Sequence, residues 1–121
     1  MANTFKVVTF AAEPNSAGTP YVVYTAGSGV TTVVLGLILT NIHTAQVTAE
    51  VELVSDTGSR GGANNVTNGT AFLAKDITIP VGSSVELLAG NKVVLETTDA
   101  LQIDCSVADK LSGALSIMEI T

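Results

Sequence analysis

The stretch ITIPVGSSVELLAGNKVVLETTDALQIDCSV, residues Ile77 to Val107, decides the fold of this chain. Apolar runs of strand length alternate there with turn sequences at Pro80–Gly82, Ala89–Asn91 and Thr97–Asp99. Val and Ile favour strands, whereas Pro, Gly, Asn and Asp favour turns. The stretch carries almost no chemically reactive side chain, which is typical of a polypeptide that packs against a partner.

The same pattern of apolar runs and turns extends toward both ends of the chain, and helical periodicity is hard to find. About nine strands without a crossover helix predict an all-β fold, an antiparallel β-sandwich that is jelly-roll-like. An immunoglobulin-like sandwich is the second choice, because the paired cysteines and core Trp of antibody domains are absent. The predicted strands are Phe5–Ala11, Tyr21–Thr25, Thr31–Ile42, Ala45–Val54, Ala71–Ile79, Ser84–Leu88, Lys92–Glu96, Ala100–Val107 and Leu115–Ile120.

Side-chain alternation predicts which face of each strand is buried. The strand Thr31–Ile42 is apolar on both faces, which predicts a central position in its sheet. Its two predicted faces are Val33, Leu35, Leu37 and Leu39 against Val34 and Ile38. In Ala45–Val54 the core-facing residues are Val47, Ala49, Val51 and Leu53, and the water-facing residues are Gln46, Thr48, Glu50 and Glu52.

The length and composition predict one domain over residues 1–121, in which residues 1–20 form an N-terminal arm and loop. Charged residues make up 13% of the 121 residues and hydrophobic residues 46%. Since soluble domains carry about 25% charged residues, part of the outer surface is expected to be covered by other subunits.

The net charge of −6 arises from eleven Asp and Glu against five Lys and Arg. Such a chain lacks the cations that nucleic acid or an anionic membrane requires, so neither is an expected partner. The N-terminus lacks the basic and long apolar segments of a signal peptide, which predicts synthesis and solubility in the cytoplasm.

No catalytic residue, cofactor site or metal site is predicted. His43 is the sole histidine and is expected in a loop, and Cys105, the sole cysteine, is expected to pack in the core. Neither Asp99 with Asp104 nor Glu50 with Glu52 is expected to form a catalytic pair, because a solvated face explains the carboxylates better. Tyr21 and Tyr24 are expected on opposite faces of one strand, which disfavours a sugar-binding platform.

What remains is an interaction surface at the two ends of the chain. The segment Thr4–Phe10 carries apolar groups on both faces, which suits an edge strand or an arm that pairs with another subunit. Deletion of residues 1–10 is therefore expected to weaken self-association more than the fold. The alternative, that both ends of the chain simply lie inside the sandwich, explains the pattern equally well. The residues of the predicted surface are Phe5, Val7, Val8, Phe10, Met118 and Ile120.

The sequence resembles small virion proteins of tailed bacteriophages, including phages of cyanobacteria. The resemblance covers most of the chain, and the segments that carry it are Tyr21–Thr25, Thr40–Ile42, Ile79–Leu88, Asn91–Glu96, Asp99–Ile103 and Ser116–Thr121. It implies an oligomeric β-sandwich without catalysis that is added to a capsid or tail during assembly.

The leading hypothesis is thus a capsid decoration or cement protein that forms a homo-oligomer, with a trimer favoured, and binds the major capsid protein of a virion. A neck, tail or baseplate component is the alternative within the virion. A receptor- or glycan-binding module of a tail fibre comes next, and a hydrolase is the weakest alternative.

The longest candidate loop, Ser55–Thr70, yields a prediction about its single arginine. The loop is rich in Gly and Asn and is expected to be exposed, so Arg60→Ala is expected to change the free energy of unfolding by less than about 0.5 kcal/mol. Thermal unfolding checks this, and a large drop in melting temperature would show that the loop packs on the domain.

Overall fold

The structure, a computed structural model, describes residues 2–55, 69–88, 90 and 92–121. Within these residues it contains nine β-strands and no helix, which confirms the all-β prediction. The strands are β1 Asn3–Glu13, β2 Tyr21–Thr25, β3 Thr31–Asn41, β4 Val47–Ser55, β5 Gly69–Ile79, β6 Ser84–Leu87, β7 Val93–Leu95, β8 Ala100–Cys105 and β9 Leu111–Ile120.

The strands form two antiparallel sheets. One has the order β1-β9-β3-β6, with β7 also paired to β3, and the other has the order β2-β8-β4-β5. Because β7 pairs with Thr32–Val34 and β6 with Leu37–Thr40, the two short strands line one edge of β3 in succession. The pairs β4/β5, β3/β6–β7, β2/β8 and β1/β9 are nested, as in one long hairpin rolled into two layers, which confirms the jelly-roll prediction.

The core lies between the inward faces of the two sheets. Leu115 and Ile117 of one sheet and Leu101 and Ile103 of the other have no exposed surface. In β4, Val47, Ala49 and Val51 are buried as predicted. The other fully buried large residues are Leu37, Leu39, Ile79, Leu95, Leu111 and Val34.

Glu52 does not face water as predicted, since only 8% of it is exposed. It lies on the outward side of β4, opposite Gln102 of the central strand β8. The Gln102 side-chain amide donates a hydrogen bond of 2.6 Å to Glu52 Oε2, which compensates for the lost hydration of the carboxylate.

A β-bulge in β3 overturns the predicted division of that strand into two faces. The pairing with β9 shifts between Val34 and Gly36, so Val34 and Leu37 both point into the core. Ile38 stays on the outside and is 41% exposed. One extra residue in a bulge reverses the alternation beyond it, and sequence alternation alone does not reveal the extra residue.

A second bulge, between Val22 and Tyr24, overturns the prediction that the two tyrosines face opposite ways. Tyr21 pairs with Ile103 and Tyr24 with Leu101, and both of these partners are core residues. The ring centroids of Tyr21 and Phe10 are 5.6 Å apart.

Residues 3–13 form a strand of the sandwich, and they are not a detached arm. β1 pairs with β9 from Asn3 to Phe10 without interruption and lies at the edge of its sheet. Phe10 is only 6% exposed, and Val8 packs partly buried against the core. Deletion of residues 1–10 therefore removes a core aromatic side chain and is expected to weaken the fold as well as any self-association.

Most of the predicted loop Ser55–Thr70 lies outside the described residues, which end at Ser55 and resume at Gly69. These two residues are also the end of β4 and the start of β5. The prediction for Arg60 stays a prediction. β9 begins at Leu111, four residues before the predicted start at Leu115. Ser112 and Gly113 had interrupted the apolar pattern there.

Gly113 lies where the ring of Phe10 approaches the backbone of β9. A Cβ atom at this position would meet the Phe10 ring and would lie 2.6 Å from the carbonyl oxygen of Ile38. We expect Gly113→Ala to lower the free energy of unfolding by about 1–3 kcal/mol, because the ring must move. Chemical denaturation measures the change.

The matched control is Gly36→Ala in the neighbouring strand β3, where an added Cβ would meet nothing within 4 Å. This change is expected to lie within about 0.5 kcal/mol of the wild type. Equal effects of the two substitutions would contradict the predicted packing of Phe10 on Gly113.

Candidate interaction surface

The acidic residues weighed as catalytic pairs are arranged differently in the two cases. Asp99 immediately precedes β8 and Asp104 lies near its end, so five residue steps along the strand separate them by roughly 17 Å. Asp99 Oδ2 accepts a hydrogen bond of 3.1 Å from the Glu96 amide. Asp104 Oδ1 accepts bonds from the amides of Gly18, at 3.1 Å, and Cys105, at 2.8 Å. Each carboxylate is therefore engaged in holding a turn or strand end.

Glu50 and Glu52 do share the outward face of β4, as predicted. Glu50 Oε1 lies 2.8 Å from Lys75 Nζ, which in turn lies 4.8 Å from the centroid of the Phe72 ring. Glu50 also borders a shallow depression of about 160 Å³ beside Asp76 and Asp104. Among the described residues, no group of three or more His, Cys, Asp or Glu is placed to hold a metal ion.

His43 and Cys105 occupy the predicted structural positions. His43 lies in the loop between β3 and β4, where its backbone amide donates a bond of 2.7 Å to Asn41 Oδ1. Cys105 is 3% exposed in the core, and burial raises the pKa of its thiol. A buried thiol held in its neutral form is a packing residue.

A polar cluster joins the two sheets at one end of the sandwich. The Tyr24 hydroxyl donates a bond of 2.5 Å to Glu119 Oε2 and lies 2.8 Å from Thr32 Oγ1. Lys6 Nζ lies 2.6 Å from the other carboxylate oxygen of Glu119. The hydrogen bond from Lys6 and that from Tyr24 lower the pKa of Glu119, while burial raises the pKa of Tyr24. The cluster connects β2 to β1, β9 and β3.

Within the described residues, a large surface without an internal partner is the outward side of the sheet β1-β9-β3-β6/β7, which we call the outer face. Residues paired across neighbouring strands lie on the same side of a sheet, so the strand pairing identifies its members. Met118 of β9 pairs with Phe5 on one side and with Val33 on the other, and Val33 pairs with Val94. An apolar row thus crosses the whole sheet.

The outer face is exposed and almost without charge. Phe5 is 71% exposed, Val7 64%, Val94 53% and Ile38 41%. Among the strand residues that the pairing assigns to this face, Glu86, at the β6 edge, is the single charged one. The opposite side of the sandwich, by contrast, carries Glu50, Glu52, Asp104 and Gln102 on its two central strands.

Small residues create a depression in the middle of the outer face. It has a volume of about 290 Å³ and is bordered by Leu35, Gly36, Leu37, Ile38, Glu86, Leu87, Ala114 and Ser116. Because Gly36, Ala114 and Ser116 have short side chains, the larger apolar residues around them stand as a rim. This shape suits a protruding side chain of another protein.

The structure brings together four of the six residues of the predicted interaction surface. Phe5, Val7, Met118 and Ile120 all belong to the outer face, although they come from opposite ends of the chain. Val8 and Phe10 point inward and contribute to the core.

Sequence reasoning missed Val33, Ile38 and Val94 as members of the outer face. Val94 lies between Val93 and Leu95 in a short apolar strand, so alternation could have placed it on the side opposite to them. Leu95 is fully buried, and Val94 is exposed. Val33 and Ile38 could not be assigned to one side without knowledge of the bulge between them.

Comparisons with protein-family models, curated proteins and solved structures gave no match to this chain. Across the part of the chain that the structure describes, no helix has the length and apolar character needed to cross a membrane.

The Tyr24–Glu119–Lys6 cluster predicts a pH dependence of stability. A carboxylate whose pKa is lowered on folding adds stability above its ordinary value of 4.5, and this stability is lost as the pH falls through the folded-state pKa. We expect Glu119→Gln to melt below the wild type at pH 7, and the difference to shrink at pH 3. Thermal unfolding at both pH values measures it.

Glu86→Gln is the control for net charge, since Glu86 is exposed on a short edge strand. It is expected to leave the melting temperature at pH 7 nearly unchanged. A deficit of Glu119→Gln that stays constant between pH 7 and pH 3 would contradict the assigned role of the carboxylate.

Proposed function

We propose that this chain is a non-enzymatic structural protein that docks on a larger assembly through its outer face. The observation that carries the proposal is the apolar row Phe5–Met118–Val33–Val94, which lies on a face whose described, paired strand residues include a single charge, Glu86. Soluble monomers rarely expose a continuous apolar patch of more than a few hundred Å². A partner protein that covers this face therefore explains why only 13% of the residues are charged.

The size of the face is somewhat below that of a standard protein interface. Four strands about 4.8 Å apart and about ten residues long, at about 3.3 Å per residue, present roughly 600 Å². A standard interface buries about 800 Å² on each partner. Most charged residues of the described strands lie off this face, and the net charge of −6 favours solubility of the free protein.

Within this class we propose a capsid decoration or cement protein of a tailed bacteriophage, located in the virion. The resemblance of Ile79–Leu88 and Ser116–Thr121 to phage virion proteins supports this choice, as does the jelly roll, which is a common capsid fold. Such a protein stabilises the assembled shell by mass action. A ligand at one hundred times its Kd adds about 2.7 kcal/mol per site to the state that binds it.

A neck, tail or baseplate component is the alternative, since it would use the same docking surface at fewer places. A glycan-binding module is less favoured, because both tyrosines point into the sandwich. Of the phenylalanines, Phe5 and Phe72 are exposed but belong to different sheets, so the aromatic rings do not combine into one platform.

Quantitative mass spectrometry of the purified source virion tests the proposal. A copy number comparable to that of the major shell protein is expected for a decoration protein. A few copies per particle would support the neck or tail alternative, and absence from the particle would overturn both.

The docking face is tested by adding purified protein to shells that lack it and following the melting temperature of the shells. Wild-type protein is expected to raise it, and Val94→Lys is expected to remove most of this increase. The matched control is Val22→Lys, since Val22 has a similar exposure of 46% but lies on β2 of the other sheet. If Val22→Lys were as harmful as Val94→Lys, the outer face would not be the docking surface.

A further inference from the structure

A sandwich of two open sheets has four edges, and three of them carry the features that prevent strand addition. At one edge β6 and β7 have only four and three residues. β2 has five residues and a bulge. β5 is long, but its pairing with β4 shifts twice, and it carries Lys75 and Asp76, the latter with φ at +51°.

The fourth edge, strand β1, has none of these features along most of its length. It pairs with β9 through eight consecutive residues, Asn3 to Phe10, before the first register shift. Its single charge in this stretch, Lys6, is engaged with Glu119, and the first proline of the chain is Pro14. Among the described residues, the free side of β1 is therefore a long and regular template for another strand, with Lys6 as its one charge.

We propose that β1 pairs with β1 of a second copy, antiparallel and about a two-fold axis, so that two five-stranded sheets become one ten-stranded sheet. The inference rests on the proposed function, because docking through the outer face gives a reason to join two such faces. A two-fold contact uses the same strand on both copies and closes at two subunits. A trimer, which the sequence favoured, would have to use another surface.

The register of the pair follows from the side-chain faces. Directly opposed residues lie on the same side of the sheet, so the axis must pass through a residue of β1, and Lys6 and Val7 are central in the regular stretch. An axis at Lys6 would place two like charges opposite each other, which is unfavourable. An axis at Val7 places Val7 against Val7, Phe5 against Thr9 and Lys6 against Val8.

With the axis at Val7, side-chain contacts on both sides of the sheet stabilise the pairing of the two strands. On the outer side, aromatic and β-branched side chains face each other, a favourable cross-strand combination. On the inner side, the aliphatic stem of Lys6 lies along Val8 while its ammonium group stays near Glu119.

The dimer also enlarges the surface that is available for docking. One outer face of roughly 600 Å² falls short of the standard 800 Å² per partner, whereas two joined faces offer roughly 1,200 Å². The apolar row of one copy continues across the axis into that of the other. Doubling the face strengthens docking on a shell without any new type of contact.

Sedimentation equilibrium of the full chain tests the pairing. The wild type is expected to show a reversible monomer–dimer equilibrium, and Val7→Lys is expected to raise its Kd at least about tenfold, because two ammonium groups then meet on the axis. Val7 is 64% exposed, so the fold should tolerate the change, and thermal unfolding verifies this. Val94→Lys and Val22→Lys place the same charge away from β1 and are expected to leave the Kd within about twofold.

The register is tested with single cysteines and oxidised glutathione, since the native Cys105 is 3% exposed and shielded from the reagent. Val7→Cys is expected to give a disulfide-linked dimer, because residues opposed on the axis have Cβ atoms about 5 Å apart. Phe5→Cys is the control, since the two copies of residue 5 lie roughly 13 Å apart along the strands. It is expected not to cross-link.

Three results would overturn the inference: a wild-type monomer at every concentration, a dimer that Val94→Lys breaks as readily as Val7→Lys, or cross-linking at position 5 in place of position 7. The second result would mean that copies associate through the outer face. The outcome is separable from that of the proposed function, because a dimer with the predicted variant pattern that is absent from virions would overturn the docking role alone.

Discussion

The pairing of β9 between β1 and β3 is the constraint on which the rest of the structure depends. Successive side chains of a strand point to opposite sides, so the register that buries Leu115 and Ile117 also places Ala114, Ser116 and Met118 on the outside. The same register lays the Phe10 ring over Gly113. Core and outer face are therefore two consequences of one hydrogen-bonded ladder, and neither can change without the other.

The charged residues of the two sheets are distributed unequally between the two outward sides of the sandwich. The carboxylates of β4 and β8 lie on one side of the sandwich, where Lys75 and Gln102 engage Glu50 and Glu52. On the outer face of the other sheet, Glu86 of the edge strand β6 is the single charge among the paired strand residues, and it borders a central depression otherwise lined by apolar or small neutral residues. Among the described residues, the outer face and the free edge of β1 therefore carry less charge than the opposite side of the sandwich.

Much of the fold was predictable from the sequence, because nearly every strand carries Val, Ile, Leu or Thr between turn residues. The strand Tyr21–Thr25 was predicted at its observed bounds. The errors arose where backbone irregularities intervene. The bulges in β2 and β3 turned Tyr24 and Val34 inward, and Gly113 concealed the start of β9 because its small size looks like a break in the strand.

The candidate surface shows where prediction from the sequence ends. The sequence by itself determined the all-β class, the approximate positions of the strands, and a composition that is acidic and rich in apolar residues. Only the tertiary structure decided that Phe5 and Met118, more than a hundred positions apart, share one face with Val33 and Val94 while Phe10 belongs to the core. Alternation along a strand is a local property, whereas the choice of the buried side depends on pairing and bulges set by distant strands.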